Sequence, residues 1–102
     1  MLSHALVVKI TAKADQSETV AQFLSGALLL AQAEPFTPFW FAFRAYETTF
    51  YIVDAFSSDD DRQKHLNGQI AAALMSKAAE LLAEPPSIEQ VDVMASKLPM
   101  AV

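Results

Sequence analysis

The chain predicts an α+β fold: a four-stranded antiparallel sheet in the ferredoxin-like order β-α-β-β-α-β, with its helices on one face. Three observations carry that prediction. Two stretches repeat apolar residues at helical spacing, and each lies between segments that alternate with the period of a strand. The two middle strands are separated by a short polar turn and so make a hairpin. Nine of the ten aromatic rings fall within FTPFWFAFRAYETTFYIVDAF, residues 36–56, the stretch that forms this hairpin.

The first strand is read from Leu6, Val8, Ile10 and Ala12, which alternate with Ala5, Val7, Lys9 and Thr11. Both sets are largely apolar, the pattern of a strand covered on two sides; Lys9 is the exception. Asp15 and Glu18 have the D-x-x-E spacing of a capping box. A helix follows, with Val20, Phe23, Leu24, Ala27, Leu28 and Ala31 on one stripe. Leu29 and Leu30 widen that stripe beyond what one sheet face needs. Pro35 and Pro38 close the helix and open the next segment.

In the hairpin, Phe39, Phe41 and Phe43 share one face and Trp40, Ala42 and Arg44 the other. Tyr46-Glu47-Thr48-Thr49 makes the turn. The return strand puts Phe50, Ile52, Asp54 and Phe56 on one face and Thr49, Tyr51, Val53 and Ala55 on the other. Ser57 or Ser58 caps the second helix, and Asp59, Asp60 and Asp61 suit the positive end of its dipole. Gly68 breaks or bends the helix, which resumes through Ile70, Leu74, Met75, Ala78, Leu81 and Leu82. Pro85-Pro86 forbids further helix. The last strand is read from Ile88 to Leu98, with Val91, Val93 and Ala95 on one face.

A chain of 102 residues holds one domain, residues 1–102, with no room for a second core. Hydrophobic residues make up 53% and charged residues 19%, the latter below the soluble average of about 25%. Helices on one face leave the other bare, yet that face is apolar. A second copy packed face to face would cover it, so a homodimer is expected. The net charge is −5 and the seven basic residues are scattered, which argues against nucleic acid. Without cysteine there is no disulfide and no thiolate metal site. No apolar run reaches the length of a membrane span. The first residues, MLSHALVVKITAK, read as a strand rather than a leader, so the expected location is cytoplasmic.

Asp54-Ala55-Phe56 ends a strand, Ser57-Ser58 begins a helix, and His65-Leu66 follows on that helix. This pattern resembles the antibiotic-biosynthesis-monooxygenase domain: an acidic residue, a spacer and an aromatic at the strand end, then a His-Leu pair. The resemblance covers nearly the whole chain. It implies a dimeric α+β barrel and, for characterised members, oxidation of electron-rich aromatic compounds such as hydroquinones and anthrones by dioxygen, with no metal, flavin or haem cofactor. Haem-degrading relatives carry an Asn on the first strand and a Trp and a His on the second helix. Here Val8, His65 and Leu74 stand near those positions, so haem degradation is rejected.

Within that frame His65 is the candidate base, or else a residue that caps a helix bend near Gly68. Asp54 lies inside an apolar strand, where a carboxylate needs a partner; it either pairs with Arg44 or orients His65. Trp40, Phe41, Phe43, Tyr51 and Phe56 are core residues or pocket walls, with Trp40 and Tyr51 favoured for a wall by their polar groups. Phe56 and Asn67 complete the expected substrate-binding set, although an Asn before Gly is also turn chemistry. The three aspartates are a solvated helix start rather than a metal site. Two functions follow. One is a cofactor-independent monooxygenase acting on a small aromatic or quinol-like compound. The other is a non-catalytic homodimer that binds a small hydrophobic molecule or serves a structural role.

Overall fold

The computed structural model describes residues 1–99. Its elements run β1 (His4–Thr11), a 3-10 turn (Ala14–Gln16), α1 (Ser17–Gly26), α2 (Leu28–Gln32), β2 (Phe39–Arg44), β3 (Thr49–Phe56), α3 (Asp59–Leu66), α4 (Gln69–Leu81) and β4 (Ser87–Asp92). The four strands form one sheet in the order β2-β3-β1-β4, and every neighbouring pair is antiparallel. This is the split arrangement expected from the element order.

Alternation along the strands sorts the sheet into two faces. Leu6, Val8 and Ile10 of β1 share a buried cluster with Phe50, Ile52 and Phe56 of β3, and with Val20, Leu24, Leu74 and Leu81 from the helices. That is the core, and all the helices cover this face. The opposite face carries a ladder of rings along β2. Phe39 and Phe41 lie 4.7 Å apart between centroids, and Phe41 and Phe43 stack at 5.6 Å. Phe41 and Phe43 are half exposed in the single chain. Toward one end, Val93, Ala95 and Leu98 share a depression with Ala5, Phe39, Val53 and Ala55 of this same face.

Several local expectations change. The Asp15–Glu18 capping box does not form: a 3-10 turn precedes α1, whose N-cap is Gln16 with no side-chain capping bond. The single first helix divides in two at Gly26 and Ala27, where glycine weakens helix continuation. Leu28 and Leu29 are exposed there, which explains why the stripe was wider than the sheet requires. The last strand ends at Asp92, six residues before Leu98; apolar alternation continues to Ala95, but among the described residues no partner strand lies beyond β1. His4 is half-buried, with Nδ1 2.7 Å from Ser3 Oγ.

The helix α3, DDDRQKHL, has almost no apolar face, so its stability comes from polar contacts. Ser58 Oγ accepts the backbone N–H of Asp61 at 3.1 Å, so of the two serines it is Ser58 that caps the helix. Lys64 lies near Asp60 and Asp61, at 3.5 and 3.7 Å. Arg62 is buried and donates to Asp59 Oδ1 at 2.8 Å and to the carbonyls of Ala5 and Val91 at 3.3 and 3.1 Å. One side chain thus ties α3 to β1 and β4. The same contact holds the Asp59 carboxyl below its ordinary pKa. With Arg62 facing the sheet, His65 one turn on faces it too.

Candidate active site

Asp54 is fully buried, with an exposure of 0%, and among the described residues it is the only carboxylate in the core. It sits on the helix-covered face of β3, opposite Trp40 in the β2 ladder and Leu6 in the β1 ladder. Arg44, the partner considered for it, stands opposite Phe50 instead. Its guanidinium lies over the Phe50 ring and bonds Ser17, Glu18 and the Glu47 carbonyl. The residue that meets Asp54 is His65: Nε2 lies 2.9 Å from Oδ2. The contact is short but poorly directed, and neither carboxylate oxygen of Asp54 has a well-aligned hydrogen bond among the described residues.

The other ring nitrogen of His65 meets a residue the sequence did not single out. Nδ1 lies 2.7 Å from Glu34 Oε1, and Thr37 donates its hydroxyl to the same oxygen at 2.8 Å. Glu34 and Thr37 come together because Pro35 stops the chain from continuing as helix. The Glu34 carbonyl then accepts the Thr37 N–H at 3.1 Å, closing a turn that puts both side chains on one side. Gly68, between α3 and α4, makes room: a Cβ there would lie 2.9 Å from Glu34 Oε2. The result is a line of three groups, Asp54–His65–Glu34, whose side chains are 0%, 6% and 10% exposed.

Burial sets the electrostatics of this line. It pushes the Asp54 carboxyl above its ordinary pKa, and the nearby Glu34 charge adds to that; the bond and charge of His65 pull the other way without winning. For His65, burial alone would disfavour the charged ring. The short contact and charge of Asp54, with the hydrogen bond and charge of Glu34, outweigh it, and the imidazole pKa is raised. The carboxylates occupy opposite nitrogens of one ring, so the three groups do not converge as metal ligands would. Among the described residues no cluster of His, Asp and Glu has a metal-holding arrangement.

A cleft leads from the surface to Asp54 and His65. Its walls are apolar: Leu6, Val8 and Ile52 from the sheet, Leu66, Ile70 and Leu74 from the helices, with Met75 and Ile88 at the mouth. Its volume is about 40 Å³, room for a water or two, whereas a benzene-sized guest fills on the order of 150 Å³. Met75 and Ile88 are 55% and 43% exposed, so the side chains that narrow the mouth are free to turn outward. Methionine is the more adaptable of the two.

The remaining expected residues lie elsewhere. Tyr51 is on the opposite face of the sheet from Asp54, between Lys9 and Phe43, because the register puts odd-numbered β3 residues there. Phe41 and Phe43 are on that face too. Phe56 is fully buried behind His65, with centroids 5.3 Å apart, and does not line the cleft. Trp40 packs between the two buried clusters and borders a separate depression beside Thr37; its Nε1 is buried with no partner among the described residues. Asn67 is exposed and serves as the C-cap of α3 through its backbone, the turn role rather than a pocket donor.

No family model matches the chain, and no curated protein matches it. Solved structures do. A putative antibiotic biosynthesis monooxygenase from Nitrosomonas europaea superposes with a TM-score of 0.80 at 16% identity, over 90% of this chain and 99% of the other. A second protein of that description, from Caulobacter crescentus, gives 0.78 at 15% identity, over 92% of each chain. The fold is that of the antibiotic-biosynthesis-monooxygenase domain, as the strand-end and His-Leu pattern implied. More narrowly, the chain belongs to one family with the NE2512 protein of unknown function, also from Nitrosomonas europaea. That protein is 50% identical, has a TM-score of 0.95, and matches over 99% of this chain and 98% of its own.

Proposed function

We propose that this protein is a cofactor-independent monooxygenase that oxidises a small aromatic or quinol-like compound with dioxygen. The observation that carries the reading is the Asp54 carboxylate. It is fully buried, lacks an aligned hydrogen bond among the described residues, and with His65 borders a cleft whose walls are apolar. A buried carboxylate left this way is costly. A ligand with a flat apolar body and one acidic O–H satisfies both walls and floor.

The chemistry follows from that fit. Asp54 accepts the phenolic or enolic proton, and the ligand anion becomes electron-rich. One electron passes to dioxygen, the two radicals combine, and the peroxide loses water. For an anthrone-like methylene the sum is CH₂ + O₂ → C=O + H₂O, so the substrate supplies both reducing electrons. Asp54 is the residue that takes the proton, and His65 holds it in place. This reverses the emphasis of the sequence reading: a ring flanked by two carboxylates is a poor proton acceptor near neutral pH.

The same reading includes a homodimer through the bare sheet face, where the Phe39–Phe41–Phe43 ladder and Val7, Tyr51 and Val53 offer one continuous apolar surface. Oxygen uptake measured with a panel of hydroquinones and anthrones tests the activity. Turnover above the uncatalysed rate is expected, with Asp54→Asn lowering it by about a hundredfold. Uptake at the background rate for every compound sinks it. The narrowness of the cleft favours a second reading, a binder of a small hydrophobic molecule without turnover. Saturable binding of a hydroquinone, unaccompanied by oxygen uptake, would select that one.

A further inference from the structure

The proposed chemistry uses Asp54 and explains the place of His65, but leaves Glu34 without a role. Glu34 does not border the cleft. Its carboxylate lies on the far side of the imidazole, beside a second depression lined by Leu30, Phe36 and Gln69. A nearly buried acid placed there costs free energy unless its charge is used.

We propose that Glu34 is a positioning residue that holds His65 as a doubly protonated ring against Asp54, and that takes the Nδ1 proton whenever Asp54 is protonated by a ligand. The proposal rests on the reading of the cleft given above. Each ring nitrogen faces a carboxylate oxygen, at 2.9 Å to Asp54 and 2.7 Å to Glu34. Nδ1 carries a proton in its gap to Glu34, and Nε2 carries one that meets Asp54 by charge rather than by alignment. Two protons on one imidazole and two carboxylates give the line a net charge of −1. The positive ring is what lets Asp54 remain ionised in a dry site.

When a ligand O–H bond breaks, its proton forms an O–H bond on Asp54. The Nδ1–H bond then breaks and a Glu34 Oε1–H bond forms, while the ring keeps its Nε2 proton. The line passes from −1 to neutral and the ligand from neutral to −1, so charge is conserved. The ligand anion therefore never faces an ionised acid on the cleft floor. The motion reverses when the peroxide needs a proton to leave as water, and no ring flip is required. Among the described residues, the titratable groups on the ring are Asp54 from β3 and Glu34 from the turn after α2. The nearby cations of α3 are engaged elsewhere, Arg62 with Asp59 and Lys64 with Asp60 and Asp61.

The test is nitrogen NMR of the imidazoles in the intact protein; with two histidines in the chain, His4→Gln assigns His65. Both His65 nitrogens should be protonated near neutral pH in the wild type. In Glu34→Gln, an isosteric change, the ring should become singly protonated at the same pH and its midpoint should fall. An unchanged His65 titration in Glu34→Gln overturns the proposal, as does a singly protonated ring in the wild type. A second arm uses 4-nitrophenol, whose anion absorbs visibly. The wild type should bind it as the anion, with at least about a threefold smaller anion fraction in Glu34→Gln. Equal fractions count against Glu34. Failure of 4-nitrophenol to bind counts against the cleft reading alone, since the His65 spectrum still decides the role of Glu34.

Discussion

His65 and Asp54 come from different elements, a helix and a strand, yet Nε2 and Oδ2 stand 2.9 Å apart inside the protein. The chain places a carboxylate where packing alone would place a valine or isoleucine. That choice reduces stability and leaves an acceptor at the end of an apolar cleft.

Replacing Asp54 by Asn should therefore make the protein more stable while disabling it. Burial, the largest influence on this carboxyl, raises its pKa, so the ionised form is disfavoured in the fold. A neutral isostere removes that penalty. The melting temperature near neutral pH is expected to rise by about 2–5 °C, measured by calorimetry. A fall would mean that the ion pair with His65 outweighs the burial.

Stability should decline as pH rises above 6.5. His65 has a folded-state pKa above its ordinary value of 6.5. The folded protein binds that proton more tightly than the unfolded chain does. The contribution is complete below 6.5 and is lost as pH climbs through the folded-state value. Asp54 has the same sign, complete below 3.8 and lost above it. Melting curves across the range should show the decline, and a shallower one in Glu34→Gln, which removes one of the two carboxylates acting on the ring.

Gly68→Ala tests how tightly the line is packed. The new methyl carbon would lie 2.9 Å from Glu34 Oε2 and 3.2 and 3.3 Å from the carbonyls of His65 and Lys64. The Glu34 carboxylate is held by Thr37 and His65 and cannot simply swing aside. A loss of about 1–2 kcal/mol in urea unfolding is expected, along with a displaced His65 Nδ1 resonance. Wild-type stability would show that the turn after α2 gives way freely.

The ring ladder on the bare face gives a fourth prediction. Phe41→Glu and Phe43→Glu together should convert a dimer into a monomer in sedimentation velocity, with the core unchanged by circular dichroism. These side chains are half exposed in the single chain, so the cost of the change falls on association rather than on folding. A wild-type protein that already sediments as a monomer at micromolar concentration would remove the homodimer from the proposed function.

Much of this architecture was legible because period and position agree. Even-numbered residues of β3 are apolar or Asp54 and face the helices, and the cap at Ser58 placed His65 one strand-to-helix step away. Glu34 was not legible. Its role depends on a turn set by Pro35, and on the glycine at position 68 that lets two distant segments touch; neither appears as a spacing along the chain. The C-terminal strand was read too long for a related reason. Alternation persists from Val91 to Ala95, but a strand needs a partner, and β1 begins at His4, opposite Asp92. Tyr51 was placed on the correct face from sequence, yet the side on which the cleft opens is set by the helices.

The mouth of the cleft is bounded on one side by Ile88, and Ile88 belongs to an outer strand with a single neighbour, pinned from the helix side by the Arg62 guanidinium at Val91. A wall secured along one edge, with only Arg62 and Gln63 reaching it from α3 among the described residues, can swing while the interior stays shut. Guest entry would then be governed by how often this flap lifts, and amide exchange along residues 87–92 would report the opening frequency directly.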